Sequence, residues 1–151
     1  MFGNYQPRVA AANVPAGTRL YRGAWRANPC LALDDIQEPR FFSRSRETAM
    51  QYARWVPTPA PSGAPYLISA EVSHEIAVAR ITDVRRLVEI GWNTWPNGLN
   101  PQGWQRTLLV PLLSRMAGTA YAGYECTDND EVLLMQPTAV MANIEVYGLP
   151  L

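Results

Sequence analysis

Residues 57–65 read "PTPAPSGAP", four prolines in nine residues. Proline gives no N–H, and its ring clashes with a preceding helical turn or interrupts a sheet ladder. The stretch is therefore read as a loop, and the elements on either side are placed independently. On its N-terminal side, "TRLYRGA" (18–24) alternates and then reaches a glycine, as a short strand ending at a turn does. Residues 28–40 suit a loop or short helix. "FFSRS" (41–45) reads as a short strand. Ser45 is a candidate N-cap for a helix "RETAMQYARWV", with Glu47 well placed in its first turn. Ala49, Tyr52, Ala53 and Val56 recur at helical spacing and predict its buried face.

Beyond the loop, "YLISAEV" (66–72) and "IAVARI" (76–81) predict strands. "TDVRRLVEI" (82–90) predicts a helix capped by its threonine, with Val84, Leu87 and Val88 on one face. "WNTWPNGLNPQGW" (92–104) is turn-rich and carries three tryptophans. A helix is expected over 105–116, kinked or broken at Pro111. "AYAGYEC" is a strand or loop edge. "EVLLM" (131–135) and "MANIEVYGL" (141–149) predict closing strands. The expected class is α+β, with strands at both ends of the chain, helices between, and a single domain over 1–151.

Composition excludes several functions. Hydrophobic content of 48% is ample for a packed core, and a formal net charge of zero gives no polyanion-binding signal. No apolar run approaches the ~20 residues of a membrane span, so no membrane partner is expected. The N-terminus lacks a basic start and long apolar stretch, which predicts action in a cytosol or export without a cleaved signal. Cys30, Cys126 and His74 are too few for a structural zinc site, and no metal is expected. A disulfide between the two cysteines is left open. All 13 basic residues are arginine. A GC-rich genome explains that, and selection against lysine modification in a host cell is the sharper alternative.

There is no phosphate-binding GxxxxGK[ST], no GxGxxG and no GxSxG elbow. Three other pieces carry chemistry. In "LYRG", Arg22 at a strand end can hold an anion with its fork of donors, and Gly23 permits close backbone approach. In "FFSRS", Ser43 can orient a neighbouring carboxylate. In "ECTDNDEVLLMQP" (125–137), a polar loop delivers Glu131 onto a strand. Taken singly, these read as a surface ion-pair arginine, a strand-to-helix join and a hairpin end.

Their order and spacing resemble the ADP-ribosyltransferase superfamily, in its Arg-Ser-Glu class. Tyr21-Arg22 matches the aromatic-Arg motif. Phe41, Ser43 and Ser45 match F-x-S-T-S, with Arg44 where threonine is usual. Asn129-Asp130-Glu131 followed by "VLL" matches Glu/Gln-x-Glu leading into an apolar strand. The resemblance spans roughly 18–149. It implies two packed, mostly antiparallel sheets around an NAD cleft with flanking helices. It implies NAD as substrate, with Glu131 stabilising an oxocarbenium-like ribose, Ser43 orienting it and Arg22 holding the diphosphate or the adjoining ribose. Gly23 meets the carboxamide through its backbone. Tyr52 or Phe41 stacks on the nicotinamide, with membership of the core as the alternative for each. Tyr124 stands in the acceptor loop, where relatives place an aromatic against a protein target.

One departure bears on the acceptor. Arginine-modifying members carry Glu two places before the catalytic Glu, and Asn129 cannot deprotonate a guanidinium. The function implied is mono-ADP-ribosyl transfer to a protein or other macromolecule, as in bacterial toxins and effectors, with an immunity protein as a further partner. A NAD glycohydrolase is the alternative enzyme. A non-catalytic binding module, built around the tryptophans of 92–104, is the alternative outside enzymes.

Overall fold

The structure, a computed structural model, describes residues 5, 8–26, 32–55, 63–95 and 97–150. Its strands are β1 (Val9–Val14), β2 (Arg19–Arg26), β3 (Arg40–Phe42), β4 (Ala64–Val72), β5 (Ile76–Ile81), β6 (Gly123–Cys126), β7 (Glu131–Leu134) and β8 (Met141–Gly148). They form two sheets, one in the order β1-β5-β6-β7-β3 and the other β2-β4-β8. Every pair is antiparallel except β5 with β6. The class is mixed α/β with two mostly antiparallel sheets. Among the described residues, one isolated bridge links them. Tyr21 on β2 and Ser43, just past β3, exchange backbone hydrogen bonds of 2.8 Å in both directions. The sheets part from that point.

Period-2 alternation divides the apolar residues between two cores. Ile76 and Val78 of β5 and Val132 and Leu134 of β7 face inward between the sheets, with Leu20, Tyr66, Ile68 and Ala70 of the smaller sheet. Ala79, Ile81 and Leu133 point the other way, with Tyr124 and Cys126 of β6, into a second core under the helices. The larger sheet is therefore covered on both faces. That is why "IAVARI" and "EVLLM" read as near-continuous apolar runs.

The helices are α1 (Ala32–Asp35), α2 (Arg46–Arg54), α3 (Val84–Thr94), α4 (Pro101–Trp104), α5 (Val110–Ala117) and α6 (Pro137–Val140). Ser45 caps α2 as expected, its hydroxyl accepting from the Thr48 N–H. Two features of α2 differ from expectation. It ends at Arg54, where Trp55 turns extended, and Tyr52 is exposed while Ala49 and Ala53 are buried. Gly23 explains the second. A Cβ there would fall 1.7 Å from the Ala49 carbonyl oxygen, so α2 lies with its backbone directly on β2. Only small residues fit along that line, and Tyr52 sits on the flank. Val56 lies outside the described residues.

Asp83 rather than Thr82 caps α3, its side chain accepting from the Arg86 N–H. The helix expected at 105–116 begins earlier. Asn100 caps it at α4, and the path continues through one wide π turn at Gln105–Leu109 into α5. Pro111 neither breaks nor ends it. The wide turn just before it accommodates the ring and the carbonyl that loses its donor. Pro65, read as loop, is the second residue of β4 and pairs with Trp25. β1 and α6 were not anticipated. Trp104 is buried against Gly91, Trp92 is half-buried, and Trp95 is 36% exposed. Cys126 is a buried free thiol, and Cys30 lies outside the described residues. Among the described residues, no helix is long and apolar enough to cross a membrane, and no cluster of metal ligands is present.

Candidate functional site

The parting of the sheets opens a cavity of about 240 Å³, lined by residues of all three motifs. Arg22 and Gly23 come from β2, Phe41 and Ser43 from β3 and its exit, and Asp130 and Glu131 from the start of β7. Tyr52 of α2, Gln102 of α4 and Gln105 of the wide turn complete the wall. A second cavity, of about 510 Å³, adjoins it. Arg85, Glu89, Trp92 and Asn93 of α3 line it, with Asn129. Tyr52, Gln105 and Glu131 border both. Together the cavities fall in the ~300–1,000 Å³ range typical of small-ligand sites.

Glu131 is the first residue of β7 and pairs in register with Cys126. It therefore points to the same face as Cys126 and Tyr124, toward the helices. The Tyr124 hydroxyl donates to Glu131 Oε2, and Gln105 Nε2 approaches the same oxygen at 3.4 Å. Gln105 Nε2 also donates to the Tyr124 oxygen at 2.5 Å. Burial pushes the Glu131 carboxyl above its ordinary value, opposed by the Tyr124 hydrogen bond and the Arg85 charge. The Tyr124 phenol is pushed strongly upward by burial and by the neighbouring carboxylate, so it remains a donor.

A left-handed residue sets the turn before β7. Asp130 has φ 48°, a conformation that aspartate tolerates better than most residues. Its Oδ1 accepts from the Arg44 N–H at 2.8 Å and its Oδ2 from the Ser45 N–H at 3.1 Å. The second and third motifs are thus clamped together by one carboxylate. Arg44 itself points out of the cavity. Its Nε donates to Glu125 at 2.6 Å, and Arg80 meets the other oxygen of Glu125 at 3.0 Å. Arg44, for which the resemblance implies threonine, serves a buried carboxylate rather than the cavity.

Arg22 is only partly available to a ligand. Its Nε donates to Asp35 at 2.7 Å and its Nη1 to the Phe41 carbonyl at 3.2 Å, which leaves Nη2 outside these two bonds. Asp35 also accepts from Arg40 at 3.0 Å and from the Tyr66 hydroxyl at 3.1 Å. Burial raises its carboxyl, but the two guanidiniums outweigh it and hold the group down at about 2.

Most of the expected residues meet here: Arg22, Gly23, Phe41, Ser43, Tyr52 and Glu131 at the smaller cavity, and Asn129 at the larger. Three expected roles change. Tyr124 is fully buried in the middle of the larger sheet, so it cannot meet a protein target from a loop. Gly23 is needed for the close approach of α2, whatever ligand its backbone meets. Among the described residues, Tyr124 and Gln105, not Ser43, hydrogen-bond Glu131. Ser43 is held by its backbone on Tyr21. His74 is exposed on the β4–β5 turn, bonded to Ser73, and lines neither cavity. Gln105, Asp35 and Arg85 had no local signal, since each acts across the fold. No protein-family model matches the chain, and neither curated proteins nor solved structures give a match.

Proposed function

We propose that the chain is a NAD-dependent mono-ADP-ribosyltransferase with a macromolecular acceptor. The observation that carries this reading is that Arg22, Ser43 and Glu131, from three well-separated stretches, line one cavity. In the reaction, the bond between the nicotinamide nitrogen and ribose C1′ breaks and the nicotinamide leaves neutral with the bonding electrons. Positive charge develops at the ribose, and an acceptor nucleophile then bonds C1′ and loses its proton. No general acid is needed for such a leaving group. A fixed carboxylate beside C1′ stabilises the charge, and Glu131 has that chemistry. Arg22 supplies a guanidinium toward the diphosphate or ribose through Nη2, while Asp35 holds its other edge. Tyr52, 59% exposed and bordering both cavities, supplies an aromatic face for the nicotinamide.

The larger cavity favours transfer over hydrolysis. It also borders Glu131 and offers Arg85, Glu89, Asn93 and Asn129 as polar contacts, with more space than a water nucleophile requires. Asn129 in place of an acid disfavours an arginine acceptor, because an amide cannot deprotonate a guanidinium. Of the three tryptophans on which the non-catalytic reading rests, Trp104 is part of the core, Trp92 is half-buried and Trp95 is 36% exposed. A toxin or effector role, with an immunity protein, follows the family resemblance alone.

Incubation of the pure protein with NAD labelled in the adenylate, with and without cell lysate, tests the proposal. Label on a macromolecule together with released nicotinamide is the expected result. Free ADP-ribose as sole product under both conditions would make the chain a hydrolase. No nicotinamide release at all would sink both enzyme readings.

A further inference from the structure

We propose that Tyr124 is the positioning residue for Glu131, with Gln105 as second donor, and that the Ser43 hydroxyl is left to face the ligand. The inference rests on the transferase reading above and adds to it how the carboxylate is held. Three observations support it. β6 and β7 run antiparallel, and the Cys126–Glu131 pairing puts Tyr124 and Glu131 on one face of the sheet, so the phenol reaches the carboxylate from within the same layer. The Tyr124 ring is fully enclosed in the second core and has no freedom to swing away. Gln105 then closes a triangle, since its Nε2 lies within reach of both the Tyr124 oxygen and Glu131 Oε2.

The arrangement has a chemical consequence. Both donors act on Oε2, which leaves Oε1 as the oxygen for the ribose. Hydrogen bonds to an ionised carboxylate favour its ionised form, and here the one from Tyr124 opposes the burial that raises it. The other charged or titratable groups around the carboxylate are Arg85 on α3, Glu89 across the larger cavity, Arg22 on β2, Asp130 at the preceding position and Tyr52 on α2. Arg85 is the one of these that adds to the effect of Tyr124 on Glu131. Cys126, on the same face of β6, acts on Tyr124.

The test uses the full chain and two readouts. Carbon-13 NMR of carboxyl-labelled glutamate follows the Glu131 titration, identified by its disappearance in Glu131→Gln. In Tyr124→Phe, which keeps the ring and loses the donor, the Glu131 midpoint should rise by about one pH unit. Gln105→Met should raise it by less, and Ser43→Ala should leave it in place. In nicotinamide release, Tyr124→Phe should lower kcat roughly 10–100-fold, leave KM for NAD within about threefold, and move the acid limb of kcat upward with the carboxyl. A wild-type titration and acid limb in Tyr124→Phe, with Ser43→Ala moving both, would overturn the proposal. If Tyr124→Phe does not fold, Gln105→Met decides by the same titration, and an unmoved carboxyl there overturns it equally. A wild-type chain that releases no nicotinamide refutes the transferase reading, while the carboxyl titration still decides which residue holds Glu131.

Discussion

Asp35 lies between two guanidiniums and a phenol, whereas Glu131 lies between a phenol and a carboxamide. Both carboxylates are largely withdrawn from water. The first is matched by charge and held down at about 2, and the second is bound by neutral donors and pushed up. Glu125 is likewise buried and ion-paired to two arginines, Arg44 and Arg80. The difference separates the jobs. A charge-matched carboxylate ties β2, β3 and α1 together and has no field left to offer a ligand. A carboxylate held by neutral groups keeps its charge unspent, at a cost to stability, and can direct it at a cation that forms in the cavity.

Removing each charge should break the comparison most sharply. Glu131→Gln should cut nicotinamide release on the order of 10²–10³-fold, while calorimetric titration shows NAD binding nearly unchanged. Its thermal midpoint at neutral pH should hold or rise. The folded-state value of Glu131 is raised, so ionising it disfavours the native state as pH climbs from 4.5 toward that value, and the amide removes the penalty. A clear fall in the midpoint would mean that Glu131 is structural after all.

Asp35→Asn should do the reverse. It leaves Arg22 and Arg40 without their shared counter-charge, and denaturant unfolding should show a loss of about 3 kcal/mol. Its effect on turnover should be far smaller than that of Glu131→Gln; a comparable loss would show that Arg22 acts only when Asp35 holds it. The pH dependence sharpens the same contrast. The folded-state value of Asp35 is depressed, so its contribution is complete above 3.8 and is lost as pH falls from there toward about 2. That contribution is at most about 2 kcal/mol after allowance for the partial solvent access of its partners. Acid unfolding of wild type and Asp35→Asn should therefore converge in that window. The smallest effect is expected at Tyr52. Tyr52→Ala should weaken NAD binding roughly fivefold, about 1 kcal/mol, and leave stability alone because the ring is mostly in solvent.

The elements that read most clearly in the sequence are those with local causes. "IAVARI" is β5 to the residue, and Ser45 caps α2 because a hydroxyl at that place satisfies an N–H three residues on. The elements that misread are those where a neighbour overrode the local signal. Tyr52 has helical spacing with Ala49, yet Gly23 brings α2 so close that only alanines fit beneath it. Pro111 looks like a breaker, yet the wide turn before it keeps the helix continuous.

The candidate site divides in the same way. Residue types, their order and the strand that carries Glu131 were all determined by the sequence, because short motifs and period-2 alternation are local properties. How the site is held together was decided only by the tertiary structure. Asp130 clamps Arg44 and Ser45 from 86 and 85 residues away, Gln105 crosses 26 residues to reach Glu131, and Arg44 turns to Glu125 across 81. Tyr124 is only seven residues from Glu131, but the contact depends on the pairing of β6 with β7 and on the burial of that face. Such contacts form when separate strands and helices pack, and no local spacing in the chain encodes which partners packing will bring together.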